Sequence, residues 1–407
     1  MNNISEIHNC YGCGVCSKPC PVHIIDIRLN KEGFYEPFLI DPEKCTQCGL
    51  CRDVCAFIKE ERANNLTPIA SFAAWSNDDK VRKKASSGGV GMEIALYLQK
   101  QGYKIVGVRY NAEKCRAEHF IASTPEDLTQ ITGSKYIQSY PVEGWTGISR
   151  KEKYLITGSP CQIDSFRNYI KRMRLPEENF ILLDFFCHGV PSMFVWQKYT
   201  KDIEKVTGKI SYASWRNKWN YGWHDSWIMG IDGEKNGEKI NWHDSYNMLI
   251  KGKKTFIQSR FSQGDKFFRL FLEDCCLGSH CYNNCKYKWA QSSADIRICD
   301  LWGNTYKENE DGVTGTVVFT NKGLDVITAS NICLIEHPFD IVAEGQMRKS
   351  PNYQNWYEKV MASLRDEKQS IDDAISVIDK VKRINHLKNS LRHPLRTALK
   401  FIKKLYV

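Results

Sequence analysis

The chain holds 17 cysteines in 407 residues, and eight of them fall between Cys10 and Cys55 in two runs of one spacing. The first is Cys10-Tyr-Gly-Cys13-Gly-Val-Cys16-Ser-Lys-Pro-Cys20-Pro21, and the second is Cys45-Thr-Gln-Cys48-Gly-Leu-Cys51-Arg-Asp-Val-Cys55-Ala56. Both read C-x2-C-x2-C-x3-C. Two residues between thiols let a tight loop wrap a four-iron cube, and Gly12, Gly14 and Gly49 permit the backbone angles such loops need. The chemistry is one-electron transfer. Zinc sites use cysteine pairs with four ligands in all, which fits two runs of four poorly. Ala56 stands where the first run has Pro21, which removes no ligand.

In two-cluster ferredoxins the first three cysteines of a run hold one cube and the fourth reaches across to the other. Cys10, Cys13, Cys16 and Cys55 are therefore expected on one [4Fe-4S] cluster, and Cys45, Cys48, Cys51 and Cys20 on the second. A further concentration, Cys275-Cys276-Leu-Gly-Ser-His280-Cys281-Tyr-Asn-Asn-Cys285, lies far along the chain. Cys276, Cys281 and Cys285 can join Cys161 or Cys187 to hold a third cube. A zinc site using His280, or reduced core thiols, are the alternatives. Cys115, Cys299 and Cys333 sit in strand-like apolar patterns and read as core.

The elements that position these groups follow from periodicity. Ile24 to Ile40 alternates around Asn30-Lys-Glu-Gly33 and predicts a hairpin. Beyond Arg62, Ser71–Trp75 and Tyr103–Tyr110 read as strands around a helix running to Leu98, which opens on the turn Ala85-Ser-Ser-Gly-Gly-Val90. Such a turn exposes backbone N–H groups suited to a phosphate. Tyr154–Thr157 runs into Gly158-Ser-Pro-Cys161-Gln162 and a helix. Ile181–Phe186 runs into Cys187-His188-Gly-Val-Pro-Ser192 and another. Repeated strand, loop and helix predict a mostly parallel sheet, with ligands beyond the strands' carboxyl ends. His188, beside Cys187, is the best-placed proton donor. Between Tyr212 and Trp227, with Trp215, Trp219, Tyr221 and Trp223 in between, aromatics interleave with Arg216 and Lys218. Alternation over His224–Ile231 and Lys239–Trp242 predicts an antiparallel insert with these rings in its core.

The net charge is +10. Eight uncompensated Lys and Arg residues between Val381 and Val407 leave +2 for the body, so a nucleic-acid-binding fold is not expected. From Pro394 on, Leu395, Ala398, Leu399, Ile402 and Leu405 share one helical face, with Arg396, Lys400, Lys403 and Lys404 elsewhere. A basic amphipathic helix can lie on an anionic membrane surface or dock a partner. The chain opens without a secretory signal pattern and has no apolar run of spanning length, so a cytoplasmic protein, peripheral at the inner face of the membrane through its tail, is expected. No G-x-G-x-x-G follows a strand, so nicotinamide is not expected as donor.

Several motifs together resemble the coenzyme F420 hydrogenase/dehydrogenase beta subunit family. They are Ser86–Gly89, Gly133-Ser-Lys-Tyr-Ile-Gln-Ser139, Gly158–Gln162, Cys187–Ser192, Ser214–Lys218 with Gly222-Trp223, and Asp295–Gly303. The resemblance spans roughly residues 70 to 305 and implies an FAD-containing iron–sulfur flavoprotein. Family members pass electrons between clusters, flavin and a substrate. That substrate is the deazaflavin coenzyme F420 in some and an unrelated metabolite in others, and many bacterial relatives are linked to cell-surface polysaccharide pathways. By motif, Ser87, Gly88, Gly89, Gly133, Ser134, Lys135, Gly158 and Ser159 become flavin-site candidates, and Arg216 and Lys218 cofactor or substrate candidates. Cys187 and His188 become candidates for the chemistry itself. Gly91 replaces the aromatic residue usual in the family after Ser-Ser-Gly-Gly-Val, and Cys281-x3-Cys285 is one residue longer than the family's Cys-Tyr-x-Cys.

The expectation is an α+β ferredoxin-like domain over 1–62, then an α/β flavin-binding domain over 63–350 with the antiparallel insert at about 208–260, and a helical basic tail over 351–407. Its expected partners are a redox protein such as ferredoxin and a small-molecule substrate or coenzyme F420. A pure electron-transfer subunit that feeds a partner enzyme is the rival reading.

Overall fold

The computed structural model describes residues 2–218, 222–241, 265–282 and 285–392. The expected hairpin is present as β1 (Ile25–Leu29) against β2 (Tyr35–Leu39), antiparallel. Each cysteine run turns into a short helical segment behind a left-handed glycine. Gly14 (φ 64°) precedes Val15–Ser17, and Gly49 (φ 75°) precedes Leu50–Asp53. A Cβ on Gly14 would stand 2.5 Å from Pro141 Cγ, so both conformation and space require glycine there.

The larger sheet has nine strands: β3 (Ala70–Ser76), β4 (Lys104–Asn111), β5 (Arg116–Ala122), β6 (Ser139–Tyr140), β7 (Tyr154–Thr157), β8 (Phe180–Phe185), β12 (Ile296–Asp300), β13 (Thr314–Val318) and β14 (Ile332–Glu336). Their order is β14-β3-β13-β12-β8-β7-β4-β5-β6. The expected parallel arrangement holds at the centre, where β12, β8, β7 and β4 pair in parallel. The sheet as a whole is mixed, which corrects the mostly parallel expectation: β4–β5, β12–β13, β13–β3 and β3–β14 are antiparallel. The short link after β4 allows only a hairpin return, since a parallel crossover needs a dozen or more residues. Cys115, expected in a strand, sits in the β4–β5 turn with φ 49°.

The insert is antiparallel as expected: β9 (Lys209–Ser214), β10 (Gly230–Lys235) and β11 (Glu238–Ile240). Trp215 and Trp223 are buried within the protein, whereas Trp219, Tyr221 and Trp242 lie outside the described residues. The stretch from 351 is not simply a tail. Helix Tyr357–Arg365 and the start of helix Ile371–Arg392 bury Val360, Met361, Leu364, Ala374 and Ile378 in the same core as Trp196, Trp215 and Phe267. Several ferredoxin-type cysteines border that core, so the N-terminal unit is built into the body. The amphipathic pattern from Pro394 on lies outside the described residues. Among the described residues, no helix is long and apolar enough to cross a membrane.

Candidate electron-transfer site

The first cysteine set is brought together around one cavity. Cys10, Cys13, Cys16 and Cys55 line one small cavity with Ile4, Ile7, Pro37 and Phe57. Burial first, and then the neighbouring cysteines, push the Cys16 thiol well up. In the second set, burial pushes the Cys51 thiol up to about 11, and Cys48 and Cys20 add to the shift. Cys48 is exposed and Cys45 half-buried, whereas the first set is wholly buried. The second cluster position is therefore the outer one. Among the described residues no three His, Cys, Asp or Glu side chains close tightly enough on one point to hold a single metal ion.

A third cysteine set lines a cleft of about 570 Å3 at the carboxyl ends of the parallel strands. Cys161 opens the helix after β7, Cys187 follows β8, and Cys281 and Cys285 come from the segment after helix Lys266–Leu272. Burial raises the Cys161 thiol, and Cys187, Cys13 and Cys285 push it further. Burial pushes Cys187 up to about 12, against the pull of the nearby Lys288 ammonium. Cys276 does not belong to this set, which corrects its expected ligand role. It is fully buried beneath the cleft wall, its thiol aimed at the carbonyl of Leu270. Cys187, expected either as a ligand of the third cube or as a group for the chemistry, stands in the cleft wall with Cys161, Cys281 and Cys285. His280 lines the cleft beside it, with its ring against Tyr11.

Tyr11 links the two cavities. It lies between Cys10 and Cys13, lines both the inner cluster cavity and the cleft, and packs on Phe57, His280 and Tyr287. Its carbonyl accepts from Gln138 Nε2 at 3.2 Å, and Gln138 Oε1 accepts from Tyr35 N at 2.8 Å. One amide thus ties the N-terminal unit to the cleft wall. Nothing in the spacing marks Tyr11 or Lys288, and Gln138 is marked only as a member of the Gly133–Ser139 motif; their placement depends on long-range packing.

Elsewhere the cleft is bounded by Ser87, Gly89, Gly133, Ser134, Lys135, Gly158 and Ser159. Gly89 (φ 89°) caps helix Val90–Lys100, and Val90 and Gly91 line the cleft with the helix's first N–H groups. Gly88 is not in the cleft wall. Its N–H donates to Thr314 Oγ1 at 2.9 Å, and a Cβ would stand 2.5 Å from Ala74 O, so it seats the loop on the sheet. Burial pushes the Lys135 ammonium down to about 7, yet its Nζ donates to the carbonyls of Gln130, Ile131 and Thr132, which favour the charged form. Lys135 therefore caps a helix end at the cleft edge.

Lys218 and Arg216 act from behind the wall. Lys218 Nζ donates to the carbonyls of Arg82 at 2.5 Å, Ser87 at 2.6 Å and Asp311 at 2.5 Å, holding the Ser-Gly loop from its far side. Arg216 is 3% exposed. Its guanidinium donates to Asp300 at 2.9 Å and Tyr136 Oη at 3.2 Å, and lies under Trp227 and Trp302. Tyr136, Trp227, Asp300 and Trp302 in turn face the cleft. His188 lines it as well, with Nε2 2.6 Å from Asp274 Oδ1 and its ring against Phe271.

Three family models match the chain. A 4Fe-4S dicluster domain covers residues 9–57. The N-terminal part of the coenzyme F420 hydrogenase/dehydrogenase beta subunit covers 71–144, and its C-terminal part covers 151–337. The chain belongs to the coenzyme F420 hydrogenase/dehydrogenase beta subunit family. This family is one of oxidoreductases, and the dicluster domain supports iron–sulfur clusters at the N-terminus. The coenzyme F420 hydrogenase subunit beta of Methanococcus voltae is 32% identical over 106 residues, 25% of this chain and 38% of that protein. An uncharacterized protein of Methanocaldococcus jannaschii is 24% identical over 188 residues, covering 39% and 52% of the two. The chain thus spans about half or less of the length of these family relatives. A chain of the xenon-derivatised F420-reducing [NiFe] hydrogenase complex from Methanosarcina barkeri aligns with 77% of this chain and 92% of its own length, at 16% identity and a TM-score of 0.42.

Proposed function

We propose that the chain is an iron–sulfur flavoprotein oxidoreductase. It takes electrons from a ferredoxin-type donor at the outer cluster, passes them through the inner N-terminal cluster and a third at Cys161, Cys187, Cys281 and Cys285, and delivers them to FAD and then to a small molecule in the cleft. The observation that carries this reading is a single cleft bounded both by that cysteine quartet and by the Ser-Gly loop with the first turn of helix Val90–Lys100. Its volume is in the range of cofactor sites. FAD, when bound, exchanges single electrons from clusters for the electron pairs that organic substrates take.

The chain's own residues bind, orient and shield. The N–H groups of Val90 and Gly91 offer a phosphate seat at a helix N-terminus. Tyr136, Trp227, Phe271 and Trp302 supply flat apolar walls that exclude water. His188 stands at the cleft surface, its ring oriented by the Asp274 carboxylate 2.6 Å from Nε2. The substrate is coenzyme F420 or another metabolite. The M. voltae relative is named as a hydrogenase subunit, and this favours a second reading in which the cleft serves a partner enzyme.

The test is cofactor release: the full chain is purified without oxygen, denatured, and its flavin identified by chromatography. FAD near one per chain is expected, and no flavin after attempted reconstitution contradicts the reading. Lys218→Met removes the cation that pins the Ser87 carbonyl. Hydrogen bonds to a charged group contribute about 1.5–3 kcal/mol, so FAD affinity is expected to fall about tenfold or more, read by fluorescence titration.

A further inference from the structure

We propose that Lys288 raises the potential of the third cluster above those of the two N-terminal clusters, and so directs electrons toward the cleft. The inference rests on the reading of Cys161, Cys187, Cys281 and Cys285 as cluster ligands. Lys288 is 8% exposed. Its Nζ donates to the carbonyls of Cys187 at 2.6 Å and His188 at 2.9 Å. Its neighbours in the body have carboxylates: Lys286 faces Asp164 and Lys322 faces Asp295. Among the described residues, Lys288 has no carboxylate within 4.0 Å. A buried ammonium without a counter-charge is costly.

The counter-charge lies in the quartet. Lys288 shares the cleft wall with Cys161, Cys187, Cys281 and Cys285, and its Nζ is bonded to the carbonyl of one of the four. A cube held by four thiolates is a net anion, and it gains one more negative charge when it accepts an electron. A nearby buried cation therefore stabilises the reduced form more than the oxidised one, and the potential rises. Arg297 also reaches Cys285, but its charge is offset by the bidentate Asp184 carboxylate.

The inner N-terminal cavity is built differently. Beside its cysteines it is lined by Ile4, Ile7, Tyr11, Gly14, Pro37 and Phe57, with no charged side chain. The cations felt there, Lys59 and Arg52 at Cys55, are half-buried at the surface, where solvent weakens them. One electron leaving an N-terminal cube, which is oxidised, and entering the third, which is reduced, then runs downhill. The asymmetry assigns the direction: the N-terminal unit is the entrance, and the cleft receives.

The test is a redox titration of the full chain, followed by electron paramagnetic resonance without oxygen, on the native protein, Lys288→Met and Lys288→Arg. Iron near about twelve atoms per chain first establishes three cubes. The third cluster is expected to be the first reduced in the native protein, to shift to lower potential in Lys288→Met, and to stay near the native value in Lys288→Arg. The N-terminal clusters should not move. A third cluster reduced at or below the potential of the N-terminal ones, or one unmoved in Lys288→Met, overturns the inference. If Lys288→Met does not fold, the native order of reduction still decides. Iron near about eight atoms shows instead that the quartet holds no cube, and the reading beneath the inference has failed.

Discussion

If the quartet holds a cube as proposed, Cys161→Ser should lose about four iron atoms per chain and stop electron delivery into the cleft, while the two N-terminal clusters keep their spectra. The substitution is mild for the fold. Cys161 lies in the first turn of helix Pro160–Arg172, which is capped by Ser159 and Gln162 rather than by the thiol. The Ser159 hydroxyl, 3.2 Å from Cys161 Sγ, can bond a serine equally well. What is lost is a soft thiolate at one corner of the quartet. Iron analysis with spin quantification checks the first part, and the single-turnover rate of acceptor reduction checks the second. Full iron content in Cys161→Ser would mean that the quartet is an ordinary set of core thiols. The paired control is Cys276→Ser, which should retain all of its iron, because Cys276 points to the Leu270 carbonyl.

Arg297→Met should destabilise the protein by about 3–5 kcal/mol. Arg297 and Asp184 are both fully buried. Arg297 Nε and one terminal nitrogen donate to the two carboxylate oxygens at 2.7 Å each, and the other terminal nitrogen donates to the carbonyls of Tyr287 and Trp289. The pair joins β12 to β8 and fixes the loops that carry Cys187 and Cys285. Removing the cation alone strands a buried carboxylate, whose proton affinity burial already raises. The double variant Arg297→Met/Asp184→Leu should recover most of that loss, since replacing both members of a buried pair is far less costly than breaking it. Denaturant unfolding reads both. Equal losses in the single and double variants would show that shape, not charge, dominates this position.

The parts of this architecture governed by local chemistry were legible in the sequence. Thiol spacing identified the N-terminal cysteine sets, because ligand loops around a cube are short. Alternation identified β1 and β2, and strand–loop–helix junctions identified β7, β8 and the helices behind them. The Ser-Gly loop and Gly133–Lys135 do meet in one cleft. Periodicity does not carry register or direction across a sheet, so the mixed pairing around the parallel centre was not legible. Neither was the choice between adjacent thiols: Cys276 and Cys281 look alike in a string, and only the turn at Gly278 sends one to the core and the other to the cleft. Lys218 and Arg216 were singled out as ligand-facing, but their buried heads bond the wall from behind. Tyr11 and Lys288 gave no signal, since each gains its place mainly from partners a hundred or more residues away.

The central claim is that electrons entering at the outer N-terminal cluster reach a cofactor in the cleft of the same chain. The most direct test is a stopped-flow single turnover, in which the FAD-loaded full chain is mixed with reduced ferredoxin without oxygen and cluster and flavin absorbance are followed together. The account predicts that the clusters are reduced first and the flavin band then bleaches, with the second phase lost in Cys161→Ser. Reduced clusters beside a flavin that stays oxidised, or bleaching that persists unchanged in Cys161→Ser, would contradict it.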